Sequence, residues 1–156
     1  MSDLFSNAPR DIDIDSVPSQ PKSGEWSTPQ HFFDALNDEF DLIWDVCASH
    51  RNSKLAFYWT KEEDGLSADW RGKRIWMHPP RGRDLRRWVA KAANGGAEIC
   101  VCLLPARTDT RWFHRYIIGN PRAEVRFVKG RLKFSGARKS SRFPNMVVIF
   151  RGEVMS

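Results

Sequence analysis

The chain has 156 residues, of which 41 % are apolar, so it is long enough for one domain with a buried core. It contains no apolar run of about 18 residues, and its N-terminus has neither a basic n-region nor an apolar h-region. The sequence therefore predicts no membrane span and no signal peptide. The cysteines Cys47, Cys100 and Cys102 lack CxxC spacing, which argues against a disulfide framework and a zinc site and favours a reducing, cytoplasmic setting.

The formal net charge of +6 is divided unevenly along the chain. Residues 1–70 contain 5 Lys or Arg and 14 Asp or Glu, whereas residues 71–156 contain 20 Lys or Arg and 5 Asp or Glu. A dense basic half is typical of proteins that meet the phosphate backbone of nucleic acid. A solvated basic face without a partner gives the same count, so the charge leaves both interpretations open.

The first ordered element is predicted to be a helix. Residues 1–24 are rich in Ser, Pro, Asp and Asn and are predicted to form a disordered tail, with one domain over 25–156. Ser27 or Thr28 is the predicted N-cap, and Pro29 suits the first turn. The apolar residues at helical spacing are Phe32, Phe33, Leu36 and Phe40.

Strands and helices alternate along the rest of the chain. The predicted strands are 40–46, 74–77, 98–105, 123–128, 131–134 and 146–150, with the last two as an antiparallel pair. One helix, with Leu85 and Trp88 on its apolar face, is predicted to stop at Asn94-Gly95-Gly96, and another is predicted to begin at Thr108 or Asp109. This alternation predicts a three-layer α/β domain with a mostly parallel sheet, which binds ligands beyond the carboxyl ends of its strands.

The end of the first predicted strand carries an acidic residue followed by small ones. Asp45 can accept hydrogen bonds from the ammonium or ribose hydroxyls of a ligand, or it can cap the following turn. No GxGxxG follows it, so the usual dinucleotide fingerprint is missing. Ala48 and Ser49 are small enough to allow a ligand to approach closely.

Two other strand ends have features of a site. Pro79-Pro80 forms a rigid bend whose carbonyls can accept from an exocyclic amine, although a plain strand-ending turn has the same residues. Arg107 and Arg111 stand beside a predicted helix N-terminus, where cations and backbone amides suit an anion. Surface charge alone is the competing interpretation for these arginines.

Seven motifs follow one another along most of the chain, from about Glu25 to Phe150. They are EWSTPQHFFDAL at 25–36, DVCAS at 45–49, EEDGLSADW at 62–70, HPPRG at 78–82, LLPARTDTRWFH at 103–114, GRLKF at 130–134 and FPNMVVIF at 143–150. In this order they resemble the small phage-type DNA N6-adenine methyltransferases, the phage Dam-like family. The resemblance implies a Rossmann-like methyltransferase fold, S-adenosylmethionine as methyl donor without a metal, and adenine in double-stranded DNA as acceptor. It also implies a monomer in the cytoplasm of a bacterial host cell, with a phage or prophage origin.

The resemblance, together with the strand ends and the basic half, gives two sets of binding residues. The donor pocket is expected to involve Trp26, Thr28, Pro29, Asp45, Ala48, Ser49, Asp64 and Asp69, with Asp64 or Asp69 near the adenosine. The DNA-binding residues are expected to be Arg83, Arg107, Arg111, Arg131, Lys133, Arg138 and Lys139. The sequence of the DNA target is expected to be read by loops, for which 50–62 and 135–145 are the candidates.

The catalytic tetrapeptide departs from the family pattern. Family members have Asn or Asp, then Pro-Pro, then an aromatic residue, whereas this chain has His78, Pro79, Pro80 and Arg81. In the family the first side chain and a proline carbonyl accept hydrogen bonds from the target amine, and the aromatic ring stacks on the flipped base. Two hypotheses therefore remain: an active methyltransferase with a divergent motif, or a catalytically impaired relative that binds DNA. A metal-dependent nuclease using Asp45 and Asp69 is disfavoured, because the carboxylates are too few.

Overall fold

The computed structural model describes residues 27–48, 52–80, 82–134 and 139–152. The predicted N-terminal tail lies outside these residues, as do the predicted site residues Trp26, Ser49, Arg81 and Arg138.

One mixed sheet of six strands forms the centre of the protein. The strands are β1 Trp44–Ala48, β2 Phe57–Thr60, β3 Arg74–Met77, β4 Ile99–Pro105, β5 Ala123–Phe127 and β6 Asn145–Arg151, and their spatial order is β2-β1-β3-β4-β6-β5. Strands β1 to β4 pair in parallel, whereas β6 is antiparallel to both β4 and β5. The predicted α/β class with a mostly parallel sheet is confirmed.

Helices cover both faces of this sheet. Helix α1 runs over Gln30–Phe40 and helix α2 over Leu85–Asn94. A 3-10 turn, Gly65–Ser67, follows β2, and a short π-helical segment, Phe113–Ile117, follows β4. The predicted helix stop at Asn94 is confirmed, because Gly95 is the C-terminal cap and its N–H bonds to the Lys91 carbonyl.

The position of β4 in the sheet explains why its sequence is continuously apolar. Its alternate residues Ile99, Val101 and Leu103 pack in the hydrophobic cluster that contains α1, and the intervening residues pack in the cluster that contains α2. A strand that is buried on both faces leaves no position for a polar side chain. The protein is therefore built of three layers, with the sheet between two hydrophobic cores.

The entry into the fold differs from the prediction. Helix α1 begins at Gln30 with Pro29 at the cap position and no side-chain cap, so the predicted cap at Ser27 or Thr28 is wrong. The helix also continues through Phe40, which was predicted to begin a strand. Asp41, in the left-handed conformation, ends the helix by donating its N–H to Asn37, and β1 starts only at Trp44.

The late elements differ as well. Residues 131–134 are not a strand; the antiparallel partners of β6 are β4 and β5. Strand β2, an edge strand with an exposed Phe57, was not predicted, since its four residues show no regular alternation. After β4, the Thr110 hydroxyl accepts from the Phe113 N–H at 3.3 Å, so neither Thr108 nor Asp109 caps the helical segment.

Candidate active site

A cavity of about 800 Å³ opens at the carboxyl ends of β1, β2 and β3. This volume suits a ligand of ordinary cofactor size. The cavity is lined by Ser27, Thr28, Asp45, Val46, Cys47, Ala48, Asn52, Lys54, Thr60, Lys61, Asp64, Gly65, Leu66, Trp76, His78, Pro79, Pro80, Asp84, Arg87, Trp88 and Phe134. The parallel strands place residues 45–48 and 78–80 beside each other, because β1 and β3 are neighbours that end at the same edge of the sheet.

Asp45 lies in the cavity wall and is only 3 % exposed. Its Oδ1 accepts from the Cys47 N–H at 3.3 Å, and its Oδ2 accepts from the Lys54 N–H at 2.9 Å. Burial raises the pKa of this carboxyl above its ordinary value, and the two backbone bonds oppose that rise. Asp45 therefore both caps its turn and lines the cavity, so the two interpretations of the sequence are not exclusive.

The EDGL segment forms another part of the wall. Asp64, with φ of 55°, accepts from the Leu66 N–H at 3.2 Å and from the Ser67 hydroxyl at 2.7 Å. The next residue, Gly65, packs so tightly on β1 that an added Cβ would lie 2.2 Å from the Val46 carbonyl oxygen. The Gly65 carbonyl in turn accepts from the Trp70 indole N–H at 2.8 Å. Glycine at this position thus brings the backbone of the wall into direct contact with β1.

Lys54 is a cavity residue that the sequence did not indicate. Its Nζ donates to Gln30 Oε1 at 3.1 Å. Burial lowers the pKa of the ammonium, and the nearby carboxylates of Asp45 and Asp34 oppose this shift. Lys54 stands in a loop with no periodic pattern, so only the folded chain shows that it faces the same cavity as Asp45.

His78 and Pro79 come directly after β3 and also line the cavity. The His78 Nδ1 lies 3.1 Å from the Thr28 hydroxyl oxygen. The imidazole ring stacks on Phe134, with ring centroids 5.3 Å apart and planes inclined by 13°. The motif is thus held from two segments far away in sequence, one before α1 and one after β5.

Two of the residues predicted for the methyl-donor pocket do not line the cavity. Pro29 is buried beside Thr28 at the start of α1. Asp69 is exposed and forms an ion pair with Arg71 at 2.9 Å, and hydrogen bonds from Arg71 hold the pKa of its carboxyl well below the usual range. Thr28, Asp45, Ala48 and Asp64 do line it.

The described members of the predicted DNA-binding set lie around the same edge of the sheet. They follow the carboxyl ends of β3, β4 and β5 or precede β6, and those described are Arg83, Arg107, Arg111, Arg131, Lys133 and Lys139, which we call the basic edge. All are exposed except Lys133, which is half-buried. The Arg107 guanidinium lies over the Phe143 ring at 5.6 Å, and Arg131 donates to the Ser141 carbonyl at 3.3 Å. The cavity and the basic edge therefore share one side of the molecule.

Two further features bear on the kind of site. Among the residues with described positions, no group of three or more His, Cys, Asp or Glu side chains is arranged to hold a metal ion. Within the same part of the chain, no helix is long and apolar enough to cross a membrane.

The fold and the cavity define an α/β protein with a pocket at the carboxyl edge of its sheet. The family model described as DNA N-6-adenine-methyltransferase (Dam) matches residues 16–153. A DNA N-6-adenine-methyltransferase of Haemophilus phage HP1 (strain HP1c1) is 30 % identical over 137 residues, which cover 80 % of this chain and 77 % of that protein. The chain belongs to the DNA N-6-adenine-methyltransferase (Dam) family, and the resemblance seen in its motifs is confirmed.

Proposed function

We propose that the protein transfers a methyl group from S-adenosylmethionine to N6 of adenine in double-stranded DNA, with HPPR as a divergent catalytic motif. The observation that carries the proposal is the juxtaposition of His78 and Pro79 with Asp45 and Asp64 in one cavity. Family membership and the DNA N-6-adenine-methyltransferase of phage HP1 support the reaction and its substrate.

The cavity residues fit the donor chemically. S-adenosylmethionine has ammonium and ribose hydroxyl groups, which donate to carboxylates such as those of Asp45 and Asp64, and a carboxylate, which Lys54 can pair. Gly65 supports this fit, because a larger residue would push the wall away from β1. When bound, the donor supplies an activated methyl on a sulfonium, which needs no covalent intermediate on the protein.

The role of the chain is then to bind the donor and the target adenine, to orient them, and to exclude water. The target adenine must leave the duplex to reach the cavity. The carbonyl of a proline in the HPPR motif accepts from the N6 amine and raises electron density on the nitrogen. The cavity walls hold the amine in line with the methyl, which removes the entropic cost of a bimolecular encounter.

DNA is held at the basic edge. Arg107, Arg111 and Lys139 are exposed cations on the side of the molecule where the cavity opens. Contacts from such cations to phosphates release counterions and supply affinity without regard to sequence. The protein acts in this proposal as a monomer, in the cytoplasm of a bacterial host.

The second candidate function is a catalytically impaired relative that binds DNA. It is favoured by the fixed orientation of His78, whose ring is hydrogen-bonded to the Thr28 hydroxyl and stacked on Phe134. An imidazole held in this way does not reproduce the oxygen of the Asn or Asp side chain found in the family. A loss of a few kcal/mol at the reacting centre reduces the rate by powers of ten.

Methyl transfer from labelled S-adenosylmethionine to unmethylated DNA separates the two candidates. We expect weak transfer by the native chain and a large increase in the His78→Asn, Arg81→Tyr double variant, because the variant has the family's tetrapeptide. No methyl transfer by the native chain, together with transfer by the double variant, would establish that the native chain is a catalytically impaired relative.

Donor binding is measured in parallel as a rise in melting temperature. At a donor concentration about 100-fold above its Kd, stabilisation is about 2.7 kcal/mol, or roughly 5–10 °C for a chain of this size. A double variant that is folded and binds the donor yet stays inert would refute our account of the tetrapeptide.

A further inference from the structure

The contact between Thr28 and His78 bears on which ring nitrogen of His78 carries the hydrogen. Thr28 is 1 % exposed, and its hydroxyl oxygen lies 3.1 Å from His78 Nδ1. Within the described residues, His78 is the only hydrogen-bonding partner of the Thr28 side chain. A threonine hydroxyl has one hydrogen to donate, whereas Nδ1 of a neutral imidazole either donates or accepts.

The two possible arrangements are not equivalent at a buried site. If Nδ1 carried the hydrogen, it would donate to the Thr28 oxygen, and the Thr28 hydrogen would then have no acceptor among the described residues. At 1 % exposure, Thr28 has almost no access to solvent water that could serve as that acceptor. If Nδ1 carries no hydrogen, the Thr28 hydroxyl donates to it, and both the hydroxyl and Nδ1 have a hydrogen-bonding partner. A buried donor without a partner costs more free energy than a satisfied pair, so the second arrangement is preferred.

We propose that Thr28 is a positioning residue whose hydroxyl donates to Nδ1 and holds neutral His78 in the tautomer with its hydrogen on Nε2. The hydrogen bond made by one ring nitrogen sets the state of the other. The parallel Phe134 ring fixes the plane of the imidazole, so that the direction of the Nε2–H bond is fixed as well.

This tautomer changes what His78 offers to a ligand, a consequence that rests on the proposed function. The Asn or Asp oxygen of the family accepts a hydrogen bond from the target amine, whereas an Nε2–H group donates one. His78 is therefore suited to an acceptor atom on the base, such as the ring nitrogen beside the adenine amine. Only the proline carbonyl is then left to accept from the amine.

The tautomer is measured directly by 15N NMR of the histidine rings at about pH 8, above the ordinary histidine pKa of about 6.5. The chain has 4 His, so the spectrum of His78→Asn assigns the signals of His78. We expect a protonated Nε2 and an unprotonated, hydrogen-bonded Nδ1 in the native protein. A protonated Nδ1 would overturn the proposal.

Two variants of Thr28 provide the matched comparison. Thr28→Val keeps the shape but removes the hydroxyl, so the Nδ1 signal should move toward that of a nitrogen without a hydrogen bond. Thr28→Ser keeps the hydroxyl and should restore the native signal. An unchanged Nδ1 signal in a folded Val variant would show that Thr28 does not act on His78.

Methyl transfer is recorded separately and tests the proposed function rather than the tautomer. A rate of methyl transfer by His78→Asn above that of the native chain would agree with both the proposed function and the proposed tautomer. If no variant methylates DNA while the native His78 has its hydrogen on Nε2, the proposed function fails and the inference on Thr28 stands.

Discussion

Replacing Gly65 by alanine tests whether the cavity depends on the close contact between its wall and β1. The added Cβ would lie 2.2 Å from the Val46 carbonyl oxygen and 3.2 Å from Trp88 Cη2. The first atom belongs to the backbone of a strand that pairs on both sides, so it cannot turn away as a flexible side chain can. The wall must therefore move outward, with the loop that contains Asp64.

The size of the effect follows from the overlap. Inserting a methyl group into a packed interior costs about 1–3 kcal/mol. For a chain of this length, that corresponds to a fall in melting temperature of roughly 2–12 °C. If the displaced wall also loses about 1.4 kcal/mol of contact with the donor, the affinity for S-adenosylmethionine falls about tenfold.

Urea unfolding and calorimetric titration with S-adenosylmethionine measure the two effects. Gly72→Ala is the control, because Gly72 has a φ of +71° but nothing within 4 Å of an added Cβ, and it does not line the cavity. Its left-handed conformation costs about 1–2 kcal/mol for a residue with a Cβ, so it should lose stability but keep its affinity for the donor. Equal donor affinity in Gly65→Ala and the native chain would refute the reasoning, as would equal losses of donor affinity in the two variants.

Three further predictions concern charged groups. Burial raises the pKa of Asp45 in the folded protein, so the stability contribution of its carboxyl is present at low pH and is lost as the pH rises through the folded value. In urea unfolding, the stability of the native chain relative to Asp45→Asn should therefore fall as the pH rises through that value, and Asp45→Asn should bind the donor less tightly. Burial raises the pKa of Glu124, but hydrogen bonds from Arg126 at 2.5 Å and from another arginine outweigh this and leave its pKa below the ordinary value. Its contribution is therefore lost as the pH falls through the folded value, and acid titration of Glu124→Gln should show a shallower loss of stability than the native chain. Replacing Arg107 and Arg111 by Gln should weaken DNA binding and lower the slope of log affinity against log salt by roughly 2, and an unchanged slope would exclude phosphate contacts from these residues.

The site was predictable as far as it depends on strand ends. Asp45 lies near the end of one predicted strand, and residues 78–80 follow another. Parallel strands bring their carboxyl ends to one edge, so the meeting of these residues in one cavity follows from local patterns and the fold class. Asp69 shows where this reasoning stops. It belongs to the same motif as Asp64, but its ion pair with Arg71 lies outside the cavity, and a motif does not specify which way each of its side chains faces.

The sequence by itself determined the elements whose periodicity is strong, such as β4 and the end of α2, together with the basic half and the family. These features depend on neighbours in the chain, which a linear pattern records. Only the tertiary structure decided that β6 lies between β4 and β5, that Lys54 enters the cavity, and that Thr28 bonds to His78 rather than capping α1. Each of these depends on residues far apart in sequence, and their contacts are set by the order of the strands and the packing of two cores, which local propensity does not encode.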